Sequence, residues 1–137
     1  MFKYDSVHGR FNGDVSFELD NLIIDDHTIP NFSRKTPATL PWGELEVDFV
    51  IDSTGKFTNK HDLEQHIEAG AKNVIVTSPA QDVDATLVYG VNETSYKVQE
   101  TNIISASSCT TSCLTPILKV LLKTYGIKHG TMTTVHS

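Results

Sequence analysis

The segment Ser105-Ala106-Ser107-Ser108-Cys109-Thr110-Thr111-Ser112-Cys113 is a hydroxyl-rich turn with two thiols that runs directly into an apolar stripe. A strand ending at Ser105 and a helix beginning near Thr110 place Cys109 at the helix N-terminus. Unpaired amide donors and the positive end of the helix dipole there stabilise a thiolate and an oxyanion alike. That is where a nucleophilic cysteine belongs. A nucleophilic thiol also needs a base, and His136 closes the next strand candidate. A helix followed by a returning parallel strand can bring the two to one sheet edge. The hydroxyls of Ser108 and Thr110 flank the thiol and can hold an anion, or cap the helix, or both. Cys113, one turn along the stripe, reads as a core residue.

Cys109, Cys113, His129 and His136 form a two-Cys, two-His set. Its histidine gap exceeds the three to five intervening residues of a zinc finger, and an apolar helix fills the middle, so no metal site is expected. His8, His27, His61 and His66 show no paired spacing and read as surface or loop residues. The glycines nowhere fall as G-x-G-x-x-G or as a phosphate-binding loop.

The elements that must position these residues follow from pattern and punctuation. Residues 15–19, 22–24 and 28–32 are β-type runs divided by Asp20-Asn21 and Asp25-Asp26, which predicts an antiparallel three-strand meander. Residues 47–52 read as a mostly apolar strand closed by Ser53-Thr54-Gly55. Leu63 and Ile67 then repeat at helical spacing over residues 59–69, with Gly70 as the stop. Residues 74–76 make another strand, closed by Thr77-Ser78-Pro79. This strand, helix, strand unit predicts a parallel sheet whose ligands collect at the carboxyl ends of its strands. Residues 85–91 and 102–105 are further strand candidates. Residues 110–125 form an amphipathic helix, which Pro116 should bend or confine to its C-terminal turns, and residues 130–136 read as a final β-branched strand.

The 137 residues carry 11 Lys and Arg against 17 Asp and Glu, a net charge of −6. Nucleic-acid binding depends on clustered cations, so that class is not expected. Hydrophobic and charged fractions of 39% and 20% exclude wholesale disorder and collagen-like composition. No apolar run approaches the roughly 20 residues that span a bilayer, and the N-terminus lacks the apolar core of a signal peptide. Two cysteines four positions apart are not a secreted disulfide framework, so a reducing, cytoplasmic setting is expected.

The thiol-bearing segment resembles the active-site signature of the glyceraldehyde-3-phosphate dehydrogenase family, usually written S-N-A-S-C-T-T-N-C-L-x-P. The resemblance continues through residues 4–11, Leu40-Pro41-Trp42, residues 52–57, Ala69-Gly70-Ala71-Lys72, Gly90-Val91-Asn92 and Met132-Thr133-Thr134-Val135-His136, in family order. It implies an α/β fold: a partial Rossmann-like parallel sheet with an antiparallel meander, plus the start of an α+β catalytic domain. Residues 1–108 would be the later part of an NAD-binding domain without its first βαβ unit, and residues 109–137 the nucleophile helix and first strand of the catalytic domain.

The resemblance further implies Cys109 as nucleophile and His136 as base in an NAD-dependent oxidation of a sugar-phosphate aldehyde with inorganic phosphate, a glycolytic reaction. Ser108 and Thr110 match positions near substrate and attacking phosphate. Thr77, Thr54 and Gly55 match cofactor contacts, and Lys35 falls where an arginine commonly sits beside the adenosine. The parent protein would be a homotetramer, and the isolated segment inactive. Ala106, Ser107 and Ser112 depart from the signature's Asn, Ala and Asn, which predicts a loosened turn and slower turnover. Erythrose-4-phosphate dehydrogenase, which residues 85–92 also suit, and a non-catalytic truncated copy are the competing readings.

Overall fold

A computed structural model describes residues 3–97 and 101–136. It comprises two compact units, Met1–Lys35 and Thr36–Ser137.

In the first unit, β1 (Tyr4–Asp5) and β2 (Gly9–Arg10) form a short antiparallel ladder. The Asp5 carboxylate fastens their turn by accepting the N–H groups of Val7 and His8 at 2.8 and 2.6 Å. The turn signal is a side chain bonding its own backbone ahead. The expected meander follows as β3 (Val15–Glu18), β4 (Asn21–Ile24) and β5 (His27–Pro30). Its first turn centres on Leu19-Asp20 rather than Asp20-Asn21, because Glu18 pairs with Asn21 and Leu19 takes φ 52°. Two-residue hairpins require such left-handed backbone.

The second unit is a four-stranded parallel sheet in the order β6-β7-β9-β8. Its strands are β6 (Phe49–Asp52), β7 (Asn73–Val76), β8 (Ala85–Thr86) and β9 (Ile103–Ser105). Helix α1 (Lys60–Glu68) crosses between β6 and β7. Asn59 caps it, accepting the Asp62 N–H at 2.9 Å and donating its amide to the Asp62 carboxylate at 2.8 Å. Leu63 of α1 is fully buried against Val74, Val76 and Ile103, a burial that stabilises by about 2 kcal/mol. On β6, Val50 and Asp52 face inward while Phe49 and Ile51 stay exposed, the alternation of a strand covered on one face.

The strand expected over residues 85–91 stops at Thr86. The Asn92 side chain accepts the Val88 N–H at 2.7 Å and donates to the Thr86 carbonyl at 3.0 Å, supplying locally what a neighbouring strand would supply. Helix α2 (Cys109–Thr124) runs through Pro116 without interruption. A proline removes one ladder donor, and the leucines and lysines that follow it, strong helix formers, sustain the C-terminal turns. Residues 131–136 are not a strand. β-branched residues adopt that form only where a neighbour takes their backbone groups, and among the described residues none is paired with them.

Candidate active site

Three hydroxyls build the approach to α2. Ser105, at the end of β9, donates its Oγ to the Ser78 carbonyl at 2.8 Å and accepts the Ser107 N–H at 3.0 Å. The chain then turns sharply, with buried Ser107 in the left-handed region at φ 67°. A non-glycine residue is costly there and persists only where its surroundings hold it. Ser108 returns to extended backbone as the N-cap, its Oγ accepting the Thr111 N–H at 3.1 Å. The first ladder bond runs from the Ser112 N–H to the Ser108 carbonyl at 2.8 Å. The N–H groups of Cys109 and Thr110 lie ahead of that ladder and face the helix start as donors.

Cys109 is therefore the first helical residue, and it is exposed. It lines a cavity of about 440 Å³ together with Thr110, Cys113, Met132, Thr134 and His136. His136 Nε2 lies 3.5 Å from Thr110 Oγ1, so the structure brings four of the expected residues, Ser108, Cys109, Thr110 and His136, to one helix terminus. The exposed 132–136 segment lies across the cavity from the first turns of α2, without the expected sheet. Cys113 is not a core residue: it is exposed and shares the cavity wall with Cys109. The face of α2 that carries Cys113 also carries Ile117 and Val120, both more than half exposed.

The carboxyl ends of β6 and β7 form a second cluster. Asp52, buried, accepts both the N–H and the hydroxyl of Thr54 at 2.9 and 2.7 Å. Thr54 Oγ1 also accepts the Lys56 N–H at 3.2 Å, so its side chain is occupied in shaping the turn. Thr77 donates its hydroxyl to the Asp52 carbonyl at 3.3 Å, beside its N–H to the same oxygen at 3.0 Å. Gly55 takes φ 66°, with open space where a Cβ would stand, so a ligand can approach its backbone closely. A strand-end edge of this kind fits a dinucleotide. Lys35 belongs to the other unit and is exposed.

His66 is neither a surface nor a loop residue. It is buried on α1, with Nε2 3.3 Å from Asp52 Oδ2 and Nδ1 accepting the Trp42 indole N–H at 3.0 Å. An indole N–H only donates, so Nδ1 is the acceptor and Nε2 carries the proton that Asp52 receives. The signal was in the sequence: His66 lies within the Leu63 and Ile67 stripe, on the inward face of the helix. Among the described residues, no group of three or more His, Cys, Asp or Glu side chains is placed to hold a metal ion.

The family model described as "Glyceraldehyde 3-phosphate dehydrogenase, NAD binding domain" matches residues 1–60, and its companion "C-terminal domain" model matches residues 108–137. All 137 residues align with curated relatives. "Glyceraldehyde-3-phosphate dehydrogenase 2" of Streptomyces avermitilis is 49% identical, with 41% of its own length covered. "Glyceraldehyde-3-phosphate dehydrogenase" of Debaryomyces hansenii is 50% identical with 40% covered, and "Glyceraldehyde-3-phosphate dehydrogenase 1" of Bacillus subtilis is 47% identical with 41% covered. The chain thus spans about two-fifths of the length of these relatives.

Proposed function

The chain belongs to the glyceraldehyde-3-phosphate dehydrogenase family, and from that premise we propose that it supplies the nucleophile and the base of an NAD-dependent, phosphorylating oxidation of D-glyceraldehyde 3-phosphate. The observation that carries this reading is Cys109, exposed at the start of α2 in the same cavity as His136. In the division of labour proposed, residues 1–108 serve the cofactor and residues 109–137 the chemistry. A C-terminal-domain match that begins at residue 108 supports it.

The Cys109 sulfur attacks the aldehyde carbon as His136 receives the thiol proton. The carbonyl oxygen, gaining charge, is met by the N–H groups of Cys109 and Thr110 at the helix start. NAD, when bound, supplies the acceptor for the hydride that must leave the adduct carbon. His136 returns the thiol proton to the carbonyl oxygen, completing the thiohemiacetal, and takes it back as that adduct on Cys109 becomes a thioester. Inorganic phosphate, held by the hydroxyls of Ser108 and Thr110, then adds to the acyl carbon. The Cys109 thiolate departs, leaving the acyl phosphate, 1,3-bisphosphoglycerate, as product.

Thr54, Gly55 and Thr77 would hold the cofactor along the strand ends. No helix among the described residues is long and apolar enough to cross a membrane, and the proposed setting is the cytoplasm, in glycolysis, within a homotetramer. The exposed apolar residues of β6 and α2 support a further proposal, that the 137 residues alone do not turn over. Mass spectrometry of a protein of the relatives' length, mixed with NAD and aldehyde and without phosphate, tests the reading. Acylation is expected at Cys109, and none in Cys109→Ser; an acyl group on another residue would overturn the assignment.

A further inference from the structure

Two of the three departures from the family signature, Ser107 and Ser112, are partners of each other. Their hydroxyl oxygens lie 2.9 Å apart, joining the turn to the first turn of α2. Ser107 is the strained residue of that turn and is only 3% exposed. Its N–H is tied through Ser105 Oγ to the Ser78 carbonyl, at the end of β7. Ser112 is held on the helix by its N–H to the Ser108 carbonyl. The bond therefore closes a ring of contacts around Ser108 and Cys109, with the sheet on one side and the helix on the other.

The two ends of the bond are not equivalent. A residue at 112 that cannot hydrogen-bond would strand the buried Ser107 hydroxyl, and stranding a buried polar group costs more than a hydrogen bond contributes, whereas the exposed Ser112 hydroxyl can turn to water if residue 107 has none. The pair is coupled, and its one evident mechanical effect is to hold the left-handed turn against the helix that begins with Cys109.

We propose that Ser107 and Ser112 are a positioning pair that fixes the aim of the Cys109 thiol and substitutes for whatever the signature residues do at those positions. The proposal rests on the reading of Cys109 as nucleophile. It makes the departures a replacement fastener, in place of the loosening that the bare sequence predicts.

The two exposed thiols allow a test with an internal control. Iodoacetamide alkylation rates at Cys109 and Cys113 are followed by peptide mass spectrometry across pH in the intact chain and in Ser107→Ala, Ser112→Ala and the double variant. Each single variant is expected to slow Cys109 by about 2- to 10-fold, the span of one hydrogen bond. The double variant should slow it no further than either single change, and Cys113 should be unaffected throughout. Ser107→Ala combined with Ser112→Asn, which installs the signature residues, should regain the fast rate. Equal changes at both cysteines, additive losses, or an unchanged Cys109 rate would overturn the pair. Cys109 reacting no faster than Cys113 before any substitution would instead overturn the nucleophile reading, and the pair with it. Ser112 is exposed, so its variant does not threaten folding.

Discussion

His66 Nε2 and Asp52 Oδ2 meet at 3.3 Å beneath the carboxyl end of β6, with both side chains buried. Because the other Asp52 oxygen takes the Thr54 N–H and hydroxyl, the histidine on α1 secures the carboxylate that shapes the proposed cofactor edge. His66→Leu would remove the hydrogen bonds to Asp52 Oδ2 and from the Trp42 indole at once, at a cost of about 2–4 kcal/mol. Urea unfolding checks this, and His66→Gln, which keeps a donor and an acceptor, should recover part of the loss.

Asp84 stitches β9 to the start of α1, accepting the N–H groups of Asn102 and Ile103 and the Lys60 ammonium at 3.0, 2.9 and 2.6 Å. Burial alone would raise this carboxyl. The Lys60 hydrogen bond, the two backbone donors and the lysine charge outweigh it and hold the group below the ordinary 3.8. A depressed carboxylate contributes stability that is fully present above the unfolded value and lost as pH falls through the folded one. Asp84→Ala should therefore cost about 1–2 kcal/mol at pH 6, with the difference in Tm from the parent shrinking below pH 3.8. A difference that persists undiminished in strong acid would contradict this account. For Lys60, raised chiefly by its hydrogen bond to Asp84, the sign reverses, and its contribution is lost as alkaline pH passes the folded value.

Two glycines should respond to alanine in different ways. A Cβ on Gly70, at φ 101°, would stand 2.5 Å from the Gly43 Cα and 2.6 Å from its N. Backbone cannot yield there as a flexible side chain would, so Gly70→Ala should cost about 2–4 kcal/mol. Gly55, at φ 66°, has open space beyond it. Gly55→Ala should cost only about 1 kcal/mol while raising the KM for NAD. Thermal melts and NAD titrations of the two variants separate a packing glycine from a binding one.

In a protein of the relatives' length, Cys109→Ser should lower kcat by at least ~10³-fold, and His136→Asn by about 10²–10⁴-fold. NAD affinity should hold in both. Steady-state kinetics decide it, and a His136→Asn enzyme with unchanged kcat would remove the histidine from its proposed role.

The local elements were legible because each carries its own chemistry. Period-two runs and two-residue turns specify the meander, Asn59 and Gly70 bound α1, and the apolar runs ending in Ser53-Thr54-Gly55 and Thr77-Ser78 specify parallel strands with a ligand edge. Cys109 at a helix start was legible for the same reason, since a hydroxyl-rich turn before an apolar stripe is a cap. What tertiary structure alone decided is every partnership between separate segments. His66 becomes buried because β6 brings Asp52 beneath it, and Cys113 lies open because no element among those described covers that face of α2. His136 reaches Thr110 along a segment that is not a strand, and Ser107 finds Ser112 only once the chain has turned through a left-handed residue. Spacing along a chain fixes which face of an element a side chain occupies. It does not say what will stand opposite, because that depends on how whole elements pack.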